Sequence, residues 1–374
     1  MKDTFGLIYA SDDDMRLKEL TTMRTVASVP FGGRYRIIDF MLSSLVNSGI
    51  NNVAILAQRN YSSLLDHIGT GSAWDLDRKN EGLRFLLPFS TTDSYYHRGT
   101  IDAFRAARDF FQHTSDRYCL YISANCVYNT DFNGMMAQHQ ATGADITIMY
   151  TQEERQADVL TPLPDVLHFD MDENKRIIDM EVGSLLPQSH SVSLGCMLIE
   201  KELLDYMVDD AFSRGFSNFT KDVLMQKYHT YRVYGYEHKG YTARMCSVEA
   251  YYRANMDLLK PHVRQDLFDL ENRVYTKIKD EVPTLYKATG SAKNIMAADG
   301  CIIEGDVENS ILGRSVTIQN GATVKNSIIM QGSEIQEGAQ LENCVLDKNV
   351  IVRRGRRMIG AANYPVVVRK NSVV

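Results

Sequence analysis

"VENSILGRSVTIQNGATVKNSIIMQGSEIQEGAQLENCVL" (307–346) repeats itself. "VENSIL" (307–312), "VKNSII" (324–329) and "LENCVL" (341–346) recur every 17 residues, and "NGA" (320–322) matches "EGA" (337–339) at the same spacing. Within the stretch Leu312, Ile318, Val324 and Met330 fall six apart. An apolar period of six, punctuated by small turn residues, predicts the coils of a parallel β-helix, each burying its inner face on the next. An antiparallel meander is the competing arrangement of such short strands, and a sustained period argues against it. The repeats place a β-helix domain over residues 296–374. Before it, over residues 261–295, "DLLKPHVRQDLFDL" gives way to "KATGSAKN", a loss of pattern expected of a linker region.

Upstream the pattern changes in kind. "TFGLIYA" (4–10), "NVAILAQ" (52–58), "YCLYISA" (118–124) and "DITIMYT" (145–151) are short, β-rich and bounded by turn formers. Between them "RIIDFMLSSLVNSG" (36–49) and "TIDAFRAARDFFQHT" (100–114) carry apolar residues at helical spacing. Strand and helix in alternation predict an α/β domain over residues 1–260, Rossmann-like, with a mostly parallel sheet and ligands at the carboxyl ends of its strands. With 41 basic against 47 acidic residues, a formal charge of -6, nucleic acid is not an expected partner. The apolar run of "MKDTFGLIYAS" is short for a secretory signal, and no segment approaches the roughly 18 apolar residues of a membrane span. Six cysteines without CxxC spacing point to reduced thiols, hence a cytoplasmic location without a membrane partner.

"VPFGGRYRIIDFMLSSLVNSGINNVAILAQ" (29–58) is long and specific. It resembles the ADP-glucose pyrophosphorylases, the glucose-1-phosphate adenylyltransferases of bacterial glycogen and plant starch synthesis. "HIGTGSAWDLDR" (67–78), "HRGTIDAF" (97–104), "NFTKDVLM" (218–225) and "SVEAYYRANMDLL" (247–259) resemble that family's segments in the same order, so the likeness covers nearly the whole chain. It implies a nucleotidyltransferase domain that joins ATP and glucose 1-phosphate with Mg²⁺, and a left-handed β-helix. Such chemistry asks for a glycine-rich loop against the triphosphate, carboxylates for the metal, and a cation for the sugar phosphate.

At each of these places the sequence departs from the family pattern. The loop Gly-Gly-x-Gly-x-Arg-Leu becomes Ser11, Asp12, Asp13, Asp14, Met15, Arg16 and Leu17. Its glycines are replaced, two of them by aspartate, and each unit charge facing phosphate at about 4 Å costs roughly 4 kcal/mol at an effective dielectric near 20. The first metal-binding aspartate becomes Asn125 in "ANCVY" (124–128), and the second becomes Arg244 in "RMCSVEAY" (244–251). The sugar-phosphate lysine aligns best with Val182 in "MEVGS" (180–184), and a lysine associated with activator binding with Val26 in "RTVAS" (24–28). Arg16, Gln58, Gly99, Thr100, Asp102 and the Gly195 of "SLG" keep the frame of the pocket.

The resemblance with these losses implies a regulatory, catalytically impaired subunit, without a metal of its own, that assembles with a catalytic ADP-glucose pyrophosphorylase subunit. Homo-oligomers of this chain and heterotetramers with that partner are expected, with Mg²⁺ belonging to the partner. Two other readings stand beside it. One is an active enzyme whose Mg²⁺ site has moved to Asp12 or Asp14, although three aspartates in a row suit a solvated turn or a helix start. The other is a sensor that binds nucleotide or sugar phosphate without turnover. Elsewhere, "SYY" (94–96) with His97 and Arg98, and the basic run "VRRGRRM" (352–358), suit a surface loop and a solvated face. His67 and Cys126 suit packing.

Overall fold

The computed structural model describes residues 1–10, 15–87, 99–153, 166–184 and 186–374. Ser11, Asp12, Asp13, Asp14 and the loop with His97 and Arg98 lie outside the described residues. Compactness divides the chain into two units that do not follow its linear order: Met1–Ser11, Met41–Tyr61 and Gly69–Thr242 form one, Asp12–Phe40, Ser62–Ile68 and Ala243–Val374 the other.

The first unit is built on a sheet that, among the described residues, has nine strands. They are β1 (Thr4–Tyr9), β2 (Asn52–Leu56), β3 (Gly82–Leu86), β4 (Tyr118–Ser123), β5 (Ile146–Gln152), β6 (Leu167–Met171), β7 (Ile177–Val182), β8 (Ser191–Glu200) and β9 (Val233–Glu237). Along the sheet the order is β7-β6-β8-β4-β1-β2-β3, and β5 lies between β8 and β9. β4, β1, β2 and β3 run parallel, as βαβ alternation predicts. β8 runs antiparallel to both β4 and β5, so the sheet is mixed. Central strands such as β2 are buried throughout, which is why they read as unbroken apolar runs. The expected helix at 100–114 forms as two, Thr100–Ala106 and Arg108–His113, meeting at Ala107. Their apolar faces, with Phe104, Phe110 and Phe111, enter the core that contains Phe5, Ile148 and Met197.

In the second unit, the C-terminal repeats form a parallel β-helix in which most strand residues sit on counterparts 17 positions away, Val307 on Val324 and Val324 on Leu341, while the last coil takes 22, Cys344 on Val366. The inner stacks, Ile318 on Ile335 and Leu312 on Ile329 among them, are fully buried. The asparagine of each repeat marks a corner, since Asn309, Asn326 and Asn343 adopt φ of 45°, 46° and 51°. That left-handed region is open to asparagine at lower cost than to β-branched residues. The residue after it forms a ladder: Ser327 donates its N–H to Ser310 Oγ at 3.1 Å, and Cys344 donates its own to Ser327 Oγ at 3.1 Å.

The β-helix starts earlier than residue 296. Ser291–Ala297 already lies in parallel register on Asp306–Leu312, and Leu285–Tyr286 on Ile302–Ile303. The first of these pairings is offset by 15 residues, Ser291 on Asp306, so the repeat of 17 does not reveal it. The expected linker therefore holds strands of the β-helix and a helix, Pro261–Leu267, opened by its proline.

Candidate functional site

The parallel strands β1, β2 and β4 end in register, with Tyr9 beside Leu56 on one side and Ser123 on the other. From this edge of the first unit the chain runs into Gln58, two residues beyond β2, and into Asn125, two beyond β4. Asn125 is half-buried, and its Oδ1 accepts from the Cys126 thiol at 3.4 Å. Burial of Cys126 is complete, in keeping with a packing role. Gly195 joins the same group. It lies where the β8 register shifts, at φ +69°, and a Cβ there would come within 3.0 Å of the Ser123 Cβ and 3.9 Å of Asn125 Oδ1. A side chain would thus crowd the amide as well as strain the backbone. The Gln58 Nε2 at this edge is buried, with no hydrogen-bond partner among the described residues.

Other retained residues are explained by folding. A Cβ at Gly99 would stand 2.3 Å from the Ser217 carbonyl oxygen, so no larger residue fits without moving the backbone. That same carbonyl accepts from the Ile101 N–H at 3.0 Å, and Thr100 Oγ1 accepts from the Phe219 N–H at 2.8 Å. Asp222 then receives the N–H groups of Ser217 and Asn218 at 2.9 and 2.8 Å. Gly99–Ile101 and Ser217–Asp222 are therefore two halves of one clasp. Asp102 is half-buried in the first helical turn that this clasp fixes.

The positions where the resemblance implies lysines hold apolar side chains that are wholly or partly buried. Val182 ends β7 opposite Leu167 and packs on the core. In the second unit, Val26 is 3% exposed, within the turn Val26–Ser28. Arg244 is half-buried in the short strand Ala243–Arg244, and Arg16 half-buried in the turn Met15–Leu20. Neither an amide nor a guanidinium supplies the anionic oxygen that Mg²⁺ prefers. Among the described residues no group of three or more His, Cys, Asp or Glu is placed to hold a metal. Taken singly, the amide of Asn125 and the guanidinium of Arg244 each lack the charge with which a carboxylate would hold the metal of the family chemistry.

The second unit holds a group of charges that the sequence reading does not assemble. Arg24, two residues before Val26, is 3% exposed, and its Nη2 grips both oxygens of Asp347 at 2.6 and 2.5 Å. Its Nη1 is buried with no partner among the described residues. Arg36 donates to the carbonyl and hydroxyl of Ser63 at 2.5 and 2.9 Å. Burial lowers its pKa to about 10, with Arg24 and Arg314 acting in the same direction against Asp39 and Asp66. Lys348, beside Asp347 in sequence, is half-buried. Burial and then repulsion from Arg36, Arg24 and Lys370 lower its pKa to about 7, although Asp347 opposes them. His67 Nε2 meets Asp39 Oδ1 at 2.6 Å, and burial holds the imidazole below its usual pKa. Arg314 is 6% exposed, with an unpartnered Nε among the described residues.

Here Arg24, Arg36, Arg314 and Lys348 outnumber the buried carboxylates Asp39 and Asp347, each of which already holds a partner. Buried cationic N–H groups left without acceptors are costly, and an anion would relieve that cost. A composition scan cannot find this group because its members come from residues 24 to 348. The arginines of "RTVAS" and "FGGRYR" were its visible signal.

A nucleotidyl transferase family model matches residues 6–161, and a GlmU-like C-terminal hexapeptide model matches residues 282–363. The chain is 33% identical to the glycogen biosynthesis protein GlgD of Bacillus subtilis (strain 168), covering 98% of this chain and 96% of that one. It is 33% identical to the glucose-1-phosphate adenylyltransferase of Geobacillus stearothermophilus, over 86% and 83% of the respective lengths. Identity to the enzyme of that name from Mycoplasma mobile is 32%, over 85% and 83%.

Proposed function

The chain belongs to the glucose-1-phosphate adenylyltransferase family, and on that premise we propose that it is a regulatory, catalytically impaired subunit of an ADP-glucose pyrophosphorylase in glycogen synthesis. The observation that carries this reading is Asn125, an uncharged amide where the metal-binding carboxylate would leave β4. Loss of a metal that supplies several kcal/mol to the transition state lowers the rate by about a thousandfold or more. Retention of Gly99 and Thr100 is no argument for catalysis, because the clasp to Ser217 and Phe219 needs them.

Regulation is supported by the cationic group of Arg24, Arg36, Arg314 and Lys348 in the second unit. It offers an anion, such as a phosphorylated metabolite, a site that is separate in residues from the strand edge holding Asn125. We infer that the chain acts by assembling with a catalytic paralogue, to which the Mg²⁺ belongs, and altering its turnover or effector response, in the cytoplasm. Such an effect is a coupling free energy between subunits.

The test is ADP-glucose formation from ATP, glucose 1-phosphate and Mg²⁺ by the chain alone and mixed with the catalytic paralogue of the same genome. Silence alone, with a changed rate or effector response in the mixture, is the expected result. Turnover by the pure chain at an ordinary enzymatic rate would overturn it and point to a displaced metal site. The orphaned amide of Gln58 favours a second reading, a nucleotide or sugar-phosphate sensor. Ligand binding by the isolated chain, with no product and no effect on the paralogue, would establish that reading instead.

A further inference from the structure

We propose that the first coil of the β-helix is a docking surface for the β-helix end of a different chain, one that carries carboxylates at its rim. This inference rests on the assembly reading above, in which that chain is the catalytic paralogue. One inner stack of the β-helix runs Tyr286, Ile303, Ile318, Ile335, Val352. Its later members are at most 1% exposed, whereas Tyr286, where the stack begins, is 55% exposed. Leu285 beside it and Ile302 on the next coil are exposed as well. So is Val282, whose carbonyl accepts from the Gly300 N–H at 2.6 Å. Large apolar side chains gathered at one end of a domain mark an interaction surface.

The backbone of this coil is as incomplete as the stack. Among the described residues Leu285–Tyr286 pairs only with Ile302–Ile303, and Ser291–Ala297 only with Asp306–Leu312, so each is the edge of its sheet. Leu285 and Lys287 donate their N–H groups to Cys301 and Ile303 at 2.8 and 2.9 Å, which by alternation turns the N–H and C=O of Tyr286 away from the next coil. Such an edge is completed by another strand. Two edges on one coil are completed together by a body that presents two at the same spacing, which is what the end of another β-helix does.

Charge selects the chain. An outward column reads Lys293, Glu308, Lys325, Glu342, alternating in sign, and Lys293 reaches Glu308 at 3.4 Å. Lys287 reaches Glu304 at 2.5 Å. At both strands the series therefore stops on a lysine, and its next member would be a carboxylate. A second copy is poorly matched from either end. Its first coil would set lysine rim against lysine rim, and its last carries Arg353, Arg354, Arg356 and Arg357. An acidic rim is drawn to Lys287 and Lys293 as the chains approach.

Binding of the full chain to the catalytic paralogue of the same genome is measured by sedimentation, and amide exchange is followed by peptide mass spectrometry in free and mixed chains. The complex should slow exchange across residues 285–297. Leu285→Asp, Tyr286→Asp, and Lys287→Glu combined with Lys293→Glu should each weaken binding roughly tenfold or more, and added salt should weaken it in the wild type. All four side chains are exposed, so each variant should melt within a few degrees of wild type. Tyr206→Asp, at an exposed position of the first unit, should bind as wild type does. Undiminished binding by every first-coil variant would overturn the docking surface and leave the regulatory reading standing. Absence of any complex with the wild-type chain would overturn that reading and the surface with it. Self-association of the wild-type chain that Tyr286→Asp abolishes would put a second copy in this place and overturn the assignment to a different chain.

Discussion

Replacing Lys348 with methionine should stabilise the protein, and more so in acid than in base. The fold lowers the pKa of this amine from 10.5 to about 7. At about 1.4 kcal/mol per decade, that displacement bounds the penalty for holding the charge at about 5 kcal/mol. Below about pH 7 the lysine is protonated in both folded and unfolded chains, so the whole penalty is present. From about pH 7 to 10.5 the folded chain has shed a proton that the unfolded chain keeps, and the penalty shrinks. Wild-type stability relative to the variant therefore rises with pH across that window. Lys348→Met keeps an unbranched stem of similar length and has no charge to desolvate. Urea unfolding in buffers free of phosphate should show a gain of about 2 to 5 kcal/mol at pH 6 and under about 2 kcal/mol at pH 9. Equal gains at both pH values, or a loss at pH 6, would refute a charge held under strain.

Other substitutions test other parts of the molecule. Gly99→Ala places a Cβ against the Ser217 carbonyl and should cost about 1–3 kcal/mol or more, with faster amide exchange at Phe219; unchanged stability and exchange would mean that the clasp yields freely. Asp347→Ala leaves the 3%-exposed Arg24 without its carboxylate and should cost about 3–5 kcal/mol in thermal or urea unfolding, partly restored by inorganic phosphate. Thiol titration of the native chain should modify Cys246 first, since Cys119, Cys126, Cys196, Cys301 and Cys344 are buried; rapid release of several thiolates would contradict their burial.

The β-helix was legible because each coil repeats the demand of its neighbour: a buried aliphatic residue facing inward, a small residue beside it, and an asparagine at φ near 50°. Its first coils were not, because Ser291 reaches Asp306 over 15 residues and breaks the period. The α/β core was legible from its apolar runs, whereas the antiparallel placement of β8 depends on pairing choices that no local propensity records. Asn125 and Gly195 could be named from motifs, and the structure joins them around Ser123. Gly99 and Thr100 could be named too, but their partners at Ser217 and Phe219 lie more than a hundred residues away. Arg24 and Lys348 escaped for the same reason, since a lysine's environment, and hence its chemistry, is a property of packing.

Because Val307, Val324 and Leu341 stand directly over one another, an insertion preserves their stack only if it adds a whole turn or is taken up in a loop between strands, as in the last coil, where Cys344 lies on Val366 across 22 residues. An insertion of 17 residues, such as a second copy of residues 324–340, would add one rung of about 4.8 Å and return every later side chain to its own stack. A shorter insertion within a strand would instead turn the side chains beyond it out of register with the stacks of Ile335, Leu341 and Leu346. Homologous chains can therefore differ in reach by discrete steps while keeping the same cross-section.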